Sequence, residues 1–285
     1  MKPKKILRQA IMCHMGKKTL TENVVIITGA SSGIGEASAL RFAEEGCWVV
    51  LAARRMERIR DLAVRIKNVG GKALAVQTDV SQPDSLSNLV HTVLAEWGQI
   101  DLLFNNAGFG RLRFLDELDP IQDIETQLRV NLLGLIQLTQ MVLPQMLKRG
   151  SGHIINMASI AGLVAMPTYS IYAATKYAVR GFTDALRREV GVWGVHVSGI
   201  YPGAVETEFD MHSGAKRKTG IHTPGILTLS ADEVAREIIK LAYHPRRMVV
   251  IPRIMMPAIW FSWHFPGVTD WIVEQTFVRG ERLYK

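Results

Sequence analysis

Val24-Val25-Ile26-Ile27-Thr28-Gly29-Ala30-Ser31-Ser32-Gly33-Ile34-Gly35 is the stretch whose reading decides the fold. Its first five residues are a continuous apolar run closed by a threonine, the pattern of a strand buried on both faces in a parallel sheet. A glycine-rich turn follows, and a helical pattern then runs to Glu45. Strand, glycine turn and helix form a phosphate-binding arrangement. Glycines permit a tight turn and let a pyrophosphate approach the backbone, while the helix N-terminus offers free N–H groups. The spacing is G-x-x-x-G-x-G rather than G-x-G-x-x-G, and the Lys-Ser/Thr of a nucleotide-triphosphate loop is missing. A plain strand–turn–helix connection would carry some of the same glycines.

Working outward, Trp48 to Ala52 reads as a second strand. In a dinucleotide fold an acid near its end binds the ribose 2′-OH. Here the chain reads Ala52-Ala53-Arg54-Arg55. Two guanidiniums suit a 2′-phosphate instead, which predicts NADP(H) in preference to NAD(H), with Arg54 the first choice for the contact. A solvated helix start is the alternative, since Arg58 and Arg60 follow. The alternation continues with a helix from about Met56 to Asn68, a strand Lys72 to Gln77, then Asp79-Val80 and a helix Gln82 to Trp97. A strand Leu102 to Phe104 ends in the tight polar turn Asn105-Asn106-Ala107-Gly108, which can border a cofactor at a strand C-terminus.

A helical pattern resumes from about Ile121 to Arg149, with Pro144 expected to end or kink it. Asn131 sits within it in an apolar setting, and a buried asparagine needs hydrogen-bond partners. It is therefore a structural bridge or part of a site. The strand His153 to Ala158 leads to Ser159, the segment Tyr169 to Val192 is helical, and the strand His196 to Ile200 is broken by Tyr201-Pro202-Gly203. Ala204 to Leu229 reads as a loop containing Lys216-Arg217-Lys218, and its length marks it as functional or mobile. A helix Ala231 to Tyr243 and a strand Met248 to Ile251 close the pattern. Seven strands alternating with helices imply a doubly wound α/β fold around a parallel sheet.

Within the helical segment lies Tyr172-Ala173-Ala174-Thr175-Lys176. Residues four apart on a helix share one face, so phenol and ammonium are neighbours. A nearby ammonium favours the phenolate and lowers the phenol pKa from its usual value of about 10. The product would be a general acid or base usable near neutrality. Ser159, at the end of the preceding strand, is placed to hold a substrate oxygen. An amphipathic helix with two exposed polar residues would show the same spacing.

Charge and cysteines narrow the classes. The net charge is +8, but Lys2, Lys4, Lys5, Arg8, Lys17 and Lys18 supply six of those charges with no acid among the first 20 residues. The body is nearly neutral, which argues against a nucleic-acid surface. The tail, residues 1–21, reads as a disordered leader or a basic amphipathic helix at a membrane surface, with Met15 an alternative start. Cys13 and Cys47 form no disulfide framework or metal-ligand cluster. Cys47 reads as a small core residue.

Taken together, residues 22–252 resemble the short-chain dehydrogenase/reductase family. The resemblance rests on Thr28-Gly29-Ala30-Ser31-Ser32-Gly33-Ile34-Gly35, Asp79, Asn105-Asn106-Ala107-Gly108, Asn131, Ser159, Tyr172-x-x-x-Lys176 and Pro202-Gly203 with Thr207. It implies a Rossmann-type fold and NAD(P)-dependent hydride transfer between alcohol and carbonyl, without a metal. It implies a catalytic tetrad of Asn131, Ser159, Tyr172 and Lys176. Lys176 would also bind the nicotinamide ribose, and Asn131 would anchor a proton-relaying water. The glycine segment with Ser31, Ser32 and Ile34 would cradle the pyrophosphate. Asp79 and Val80 would border the adenine and Asn105 the adenosine side, and Ala107 and Gly108 would also bind the cofactor. Pro202, Gly203, Val205 and Thr207 would also bind the cofactor, with Thr207 at its carboxamide. The intact tetrad argues against a non-catalytic nucleotide sensor on the same fold. A 3-oxoacyl-thioester reductase is a close alternative to a reductase of hydrophobic carbonyls or alcohols.

The chain departs from a minimal family member at both ends, which puts the family's familiar tetramer in doubt and leaves a homodimer or homotetramer as the expectation. Residues 253–285 form an apolar, tryptophan-rich extension in which Ile254 to Thr269 carries no formal charge. A membrane-spanning helix needs about 20 apolar residues, and Pro257 and Pro266 interrupt this run. It reads as a packed extension or dimer contact, or as an apolar flap near the substrate pocket that also touches a bilayer. The location expected is cytoplasmic, with that peripheral contact in the second reading.

Overall fold

The structure is a computed structural model that describes residues 19–209 and 225–283. Most of the basic tail, Cys13, Met15 and Lys216-Arg217-Lys218 lie outside the described residues. Seven parallel strands form one sheet: β1 (Val24–Thr28), β2 (Trp48–Ala53), β3 (Lys72–Gln77), β4 (Leu102–Asn105), β5 (Gly152–Met157), β6 (Val195–Pro202) and, last in the chain, β9 (Met248–Ile251). A separate two-residue pair, β7 (Val205–Glu206) with β8 (Leu229–Ser230), joins the two ends of the segment that reads as a long loop. The sheet order is β3-β2-β1-β4-β5-β6-β9. The order reverses between β1 and β4, which opens a crevice at the carboxyl ends of the strands, the place where such sheets bind ligands.

The helices are α1 (Gly33–Glu44), α2 (Met56–Asn68), α3 (Pro83–Trp97), α4 (Pro120–Arg149), α5 (Ser170–Val190) and α6 (Ala231–Tyr243). Alternate strand residues feed two core layers. Val25, Ile27, Val49 and Leu51 meet Phe42 of α1, Ile59 and Leu62 of α2, and Val234 and Ile238 of α6. Val24, Ile26 and Val50 meet Leu86 and Leu89 of α3, Leu138 and Val142 of α4, and Leu186 of α5. This double burial is why β1 and β2 read as unbroken apolar runs rather than alternating ones. Each such side chain is worth about 1.5–3 kcal/mol when fully buried, so both helical layers are needed to hold the sheet.

Two local boundaries differ from expectation, and one helix has added detail. Pro144 does not end the helix: α4 runs on to Arg149 with the proline inside it. The carbonyl that loses its partner belongs to Gln140, on the exposed side of the helix, where water can serve it. The Tyr201-Pro202 break also lies later, since β6 continues through Pro202, paired with Ile251. A proline at the end of a strand loses only one ladder bond. Finally, α4 is not uniform. Asp119 caps its start by accepting from the Ile121 and Gln122 N–H groups, and two π-helical stretches, Pro120–Glu125 and Arg129–Leu133, widen it. Although long and apolar enough to cross a membrane, α4 turns Leu135, Leu138, Val142 and Met146 into the core.

After β9 the extension folds as α7 (Met256–His264), α8 (Pro266–Val273), a π-helical turn (Glu274–Val278) and α9 (Arg279–Leu283). Its inner side is packed. Ile259 and Phe277 are buried, the Trp263 indole N–H donates to the Leu163 carbonyl at 2.7 Å, and Arg282 pairs with Asp116 at 2.6 Å. Its outer side exposes Trp260, Phe265, Val268 and Trp271.

Candidate active site

The glycine loop is built by backbone geometry. Gly29 and Gly33 have φ of 67° and 55°, values that side chains disfavour. A Cβ on Gly29 would lie 3.0 Å from the Ala107 Cα, and one on Gly33 3.0 Å from the Thr207 Cγ2. The loop is therefore held between the β4 turn and the segment after β6. Thr28 and Asn106 lock it from beneath. The Thr28 Oγ1 accepts from the N–H groups of Asn106 and Ala107 at 2.9 and 3.0 Å. The Asn106 amide donates to the Thr28 carbonyl at 2.8 Å. Ser32, the N-cap of α1, has extended backbone and makes no capping bond with its side chain. It leaves first-turn N–H groups to face an anion. These residues fit a pyrophosphate: two glycines at positive φ bend the loop, and the start of α1 has no side-chain cap. Ile34 packs partly into the core beneath.

The arginines behave differently from one another. Arg55 donates to the Ser31 hydroxyl at 3.0 and 3.1 Å and to the Ser32 hydroxyl at 2.7 Å. Among the described residues the Arg54 guanidinium has no hydrogen bond or ion pair, while its carbonyl accepts from Gln77. Arg55, the residue before α2, therefore lies against the glycine loop, whereas Arg54 makes no such contact among the described residues.

The second cluster gathers at the ends of β5 and β6. The Ser159 hydroxyl accepts from the Ala161 N–H at 3.1 Å and reaches the Pro202 carbonyl at 3.5 Å. It also hydrogen-bonds the Tyr172 phenol, which lies in α5. Lys176, one turn on, donates to the Met157 carbonyl at 2.9 Å and lies 5.6 Å from the Tyr172 ring centre. Asn131 projects from the π-helical turn of α4 and pins the loop after Gly108. Its Oδ1 accepts from the Phe109 N–H at 2.9 Å, and its Nδ2 donates to the Phe109 carbonyl at 2.7 Å. A Cβ on Gly108 would fall 3.1 Å from the Asn131 Oδ1 and 3.7 Å from the Lys176 Nζ, so that glycine keeps amide and ammonium close.

One electrostatic expectation is reversed. Lys176 was expected to lower the Tyr172 pKa. Burial instead pushes the phenol well above its ordinary value, and the Ser159 hydrogen bond opposes this only in part. Burial also lowers Lys176, to about 8. Desolvation is the largest cause at the phenol and the cause at the ammonium.

The remaining expected residues divide. Asn105 is buried, and its two amide N–H groups go to Thr139 and Asn156 at 3.0 and 2.9 Å. Its amide ties β4 to β5 and α4. The Asp79 Oδ1 accepts from the Ser81 N–H and hydroxyl, which fixes the turn into α3, and Val80 is buried under Gly134. Gly203 bonds to the Ile251 carbonyl at 2.8 Å. Val205 pairs with Leu229 in β7–β8.

Sequence reasoning missed a second layer around Tyr172. Leu112, Ala161, Tyr169 and Phe209 form an apolar cage about it, with the Phe209 ring 5.5 Å from that of Tyr172. Gly110 makes the room, since a Cβ there would meet Phe209 at 2.8 Å. Gly108-Phe109-Gly110 is a signal that could have found this loop; nothing local marks Phe209. Cys47 is buried, donates to the Leu20 carbonyl and is pushed up to about 12, as an inert core thiol should be.

Comparison with known proteins agrees with this geometry. The family model described as short chain dehydrogenase matches residues 23–218. An uncharacterized oxidoreductase of Staphylococcus saprophyticus is 37% identical over 241 residues, 83% of this chain and 96% of that one. A dehydrogenase/reductase SDR family protein 7-like of Drosophila melanogaster is 31% identical over 286 residues, covering 97% of this chain and 87% of its own. Among solved structures, a short-chain dehydrogenase/reductase from Burkholderia phymatum in complex with NAD superposes with a TM-score of 0.79 at 26% identity, covering 88% of this chain and 96% of that one. A short-chain dehydrogenase from Sphingobium yanoikuyae in complex with NADPH gives 0.75 at 29%, covering 87% and 96%. The chain belongs to the short-chain dehydrogenase family and is an oxidoreductase that acts on CH–OH groups with NAD(P).

Proposed function

We propose that this chain is an NADPH-preferring reductase of hydrophobic carbonyl compounds, with Tyr172 as the proton donor. The observation that carries the reading is the buried Tyr172 phenol, bonded to Ser159 and caged by Leu112, Ala161, Tyr169 and Phe209. When bound, the nicotinamide supplies hydride to the carbonyl carbon. Ser159 holds the carbonyl oxygen, and the Tyr172 O–H gives it a proton. Burial keeps that proton on the phenol through neutral pH, which suits reduction. The Lys176 ammonium offsets the phenolate that forms and, by family resemblance, binds the nicotinamide ribose. Asn131 fixes the Phe109 turn beside that ammonium and, by the same resemblance, anchors the relay water.

NADPH is favoured because no acid stands at the end of β2, whereas Arg54 and Arg55 do, and Arg55 is set against Ser31 and Ser32. A charge-assisted contact is worth roughly 1.5–3 kcal/mol, on the order of tenfold to a hundredfold in affinity. The apolar cage and the open outer face of α7 and α8 extend the reading to a lipophilic substrate met at a membrane surface, where tryptophan favours the interface. The test follows NADPH absorbance over short and long ketones, acyl thioesters and aromatic ketones, with and without liposomes. Long apolar ketones should give the highest kcat/KM and the chain should sediment with liposomes. Equal use of NADH, or turnover confined to small soluble carbonyls, would defeat this reading.

The lowered Lys176 pKa gives a pH prediction. Below about 8 the buried group carries its charge; as pH rises through that value it becomes neutral. NADPH binding to the free protein should weaken above about pH 8, and Lys176→Met should bind weakly at every pH without that limb. Isothermal titration from pH 6 to 10 reads both. A wild-type affinity flat across this range would count against the assigned charge.

A further inference from the structure

One of the two arginines expected to meet a 2′-phosphate, Arg55, already holds an anion from the chain itself, and Arg58, one helical turn on, shares it. Glu208 places its Oε2 2.8 Å from an Arg55 nitrogen and its Oε1 2.5 Å from an Arg58 nitrogen. This is not an isolated surface pair. The same Arg55 grips the Ser31 and Ser32 hydroxyls of the glycine loop. Glu208 also directly follows Thr207, whose side chain lies over Gly33. The carboxylate therefore sits beside the phosphate cradle, at the end of the segment that crosses it.

We propose that Glu208 determines cofactor discrimination by standing in for the 2′-phosphate: NADPH must displace its carboxylate from Arg55 and Arg58, whereas NADH binds with the carboxylate in place. The inference deepens the NADPH reading above and rests on its assignment of Arg55. The physical ground is that carboxylate and phosphate make the same charge-assisted bonds to guanidinium. Two guanidiniums facing one carboxylate carry a single net charge, and without it they carry two. A phosphate monoester with charge of about −1.5 to −2 matches the freed pair better than the occupied one. Glu208 itself is held ionised, well below the usual carboxylate range at about 2, chiefly by its bonds to Arg58 and Arg55. It competes at any physiological pH. A ligand that must first empty its site has its apparent affinity reduced by the occupied fraction.

The site is partly exposed, with Glu208 and Arg55 side chains 28% and 40% accessible, so solvent and salt temper the effect. The experiment titrates 2′,5′-ADP and 5′-AMP into the full chain, for wild type, Glu208→Gln and Arg55→Ala/Glu208→Gln, by calorimetry at low salt. The two ligands differ only in the 2′-phosphate. Glu208→Gln should tighten 2′,5′-ADP by about five- to thirtyfold, the span of one or two ion-pair contacts. It should move 5′-AMP by no more than about twofold, the scatter expected of a surface change. The gain should vanish when Arg55 is also replaced. Glu208→Ala should repeat the result and so exclude an effect of the new amide. If Glu208→Gln weakens both ligands equally, Glu208 is a strap over the cofactor and the inference is overturned. If wild type favours 2′,5′-ADP but Glu208→Gln changes nothing, the inference fails while the NADPH reading stands. If wild type shows no preference and Glu208→Gln creates one, the NADPH preference fails and the displacement by Glu208 holds.

Discussion

Tyr172→Phe is expected to lower kcat for carbonyl reduction by roughly 10²–10⁴-fold, the usual worth of a positioned general acid. NADPH affinity should stay within about twofold, because the change leaves no buried polar group unpaired. The ring would still fill the cage of Leu112, Ala161 and Phe209, so folding is not at stake. Ser159 would keep its bond from the Ala161 N–H and is not left orphaned. What is lost is a single transferable proton, which burial otherwise keeps on the phenol. Single-turnover oxidation of preloaded NADPH separates this chemical step from binding and release. A variant that retains more than about a hundredth of the wild-type rate would show that another acid operates. A large loss of NADPH affinity would instead mean that the hydroxyl serves the cofactor.

The sequence made much of this scaffold legible, for reasons that can be named. Val24–Thr28 reads as an unbroken apolar run because it is covered on both faces. Ala231–Tyr243 and Met248–Ile251 appear with the bounds expected of them: the first has an uninterrupted helical stripe, the second is a short apolar run flanked by charge. Tyr172 and Lys176 share a helical face as their spacing requires. What could not be read is what depends on partners distant in the chain. Pro144 looks like a terminator until its helix is seen wedged against β4 and β5. The ties that Asn105 makes to Thr139 and Asn156 cross 34 and 51 residues of chain. The direction of the Tyr172 shift depends on burial supplied by Phe209, Leu112 and Ala161, none of which lies within a helical turn of it. Arg54 and Arg55 are equivalent as letters, and only the approach of Ser31 and Ser32 tells them apart. Glu208 gave no signal at all, since one carboxylate in a long loop has no pattern.

Gly35→Ala should lower NADPH affinity by about a hundredfold or more and also lower Tm. A single methyl group is added, but the position gives it nowhere to go. A Cβ on Gly35 would lie 2.2 Å from the Gly29 carbonyl oxygen and 2.8 Å from the Asn106 Nδ2. The first is backbone, and the second is the amide that locks the loop through the Thr28 carbonyl. Neither is the far end of a flexible side chain, so α1 must move away from β1 or the glycine loop must shift. Overpacking of this kind typically costs about 1–3 kcal/mol. The cofactor bears a second loss, because a displaced loop gives up backbone bonds to the pyrophosphate, each worth roughly 1.5–3 kcal/mol when charge-assisted. Gly181→Ala is the contrast. That glycine lies within α5 with no atom within 4 Å of a built Cβ. The substitution should raise stability by roughly 0.5–1 kcal/mol through helix propensity and leave NADPH binding unchanged. Thermal unfolding and calorimetric titration of both variants provide the check. Equal behaviour of the two would mean that the close approach of Gly35 to Gly29 does not shape the cradle.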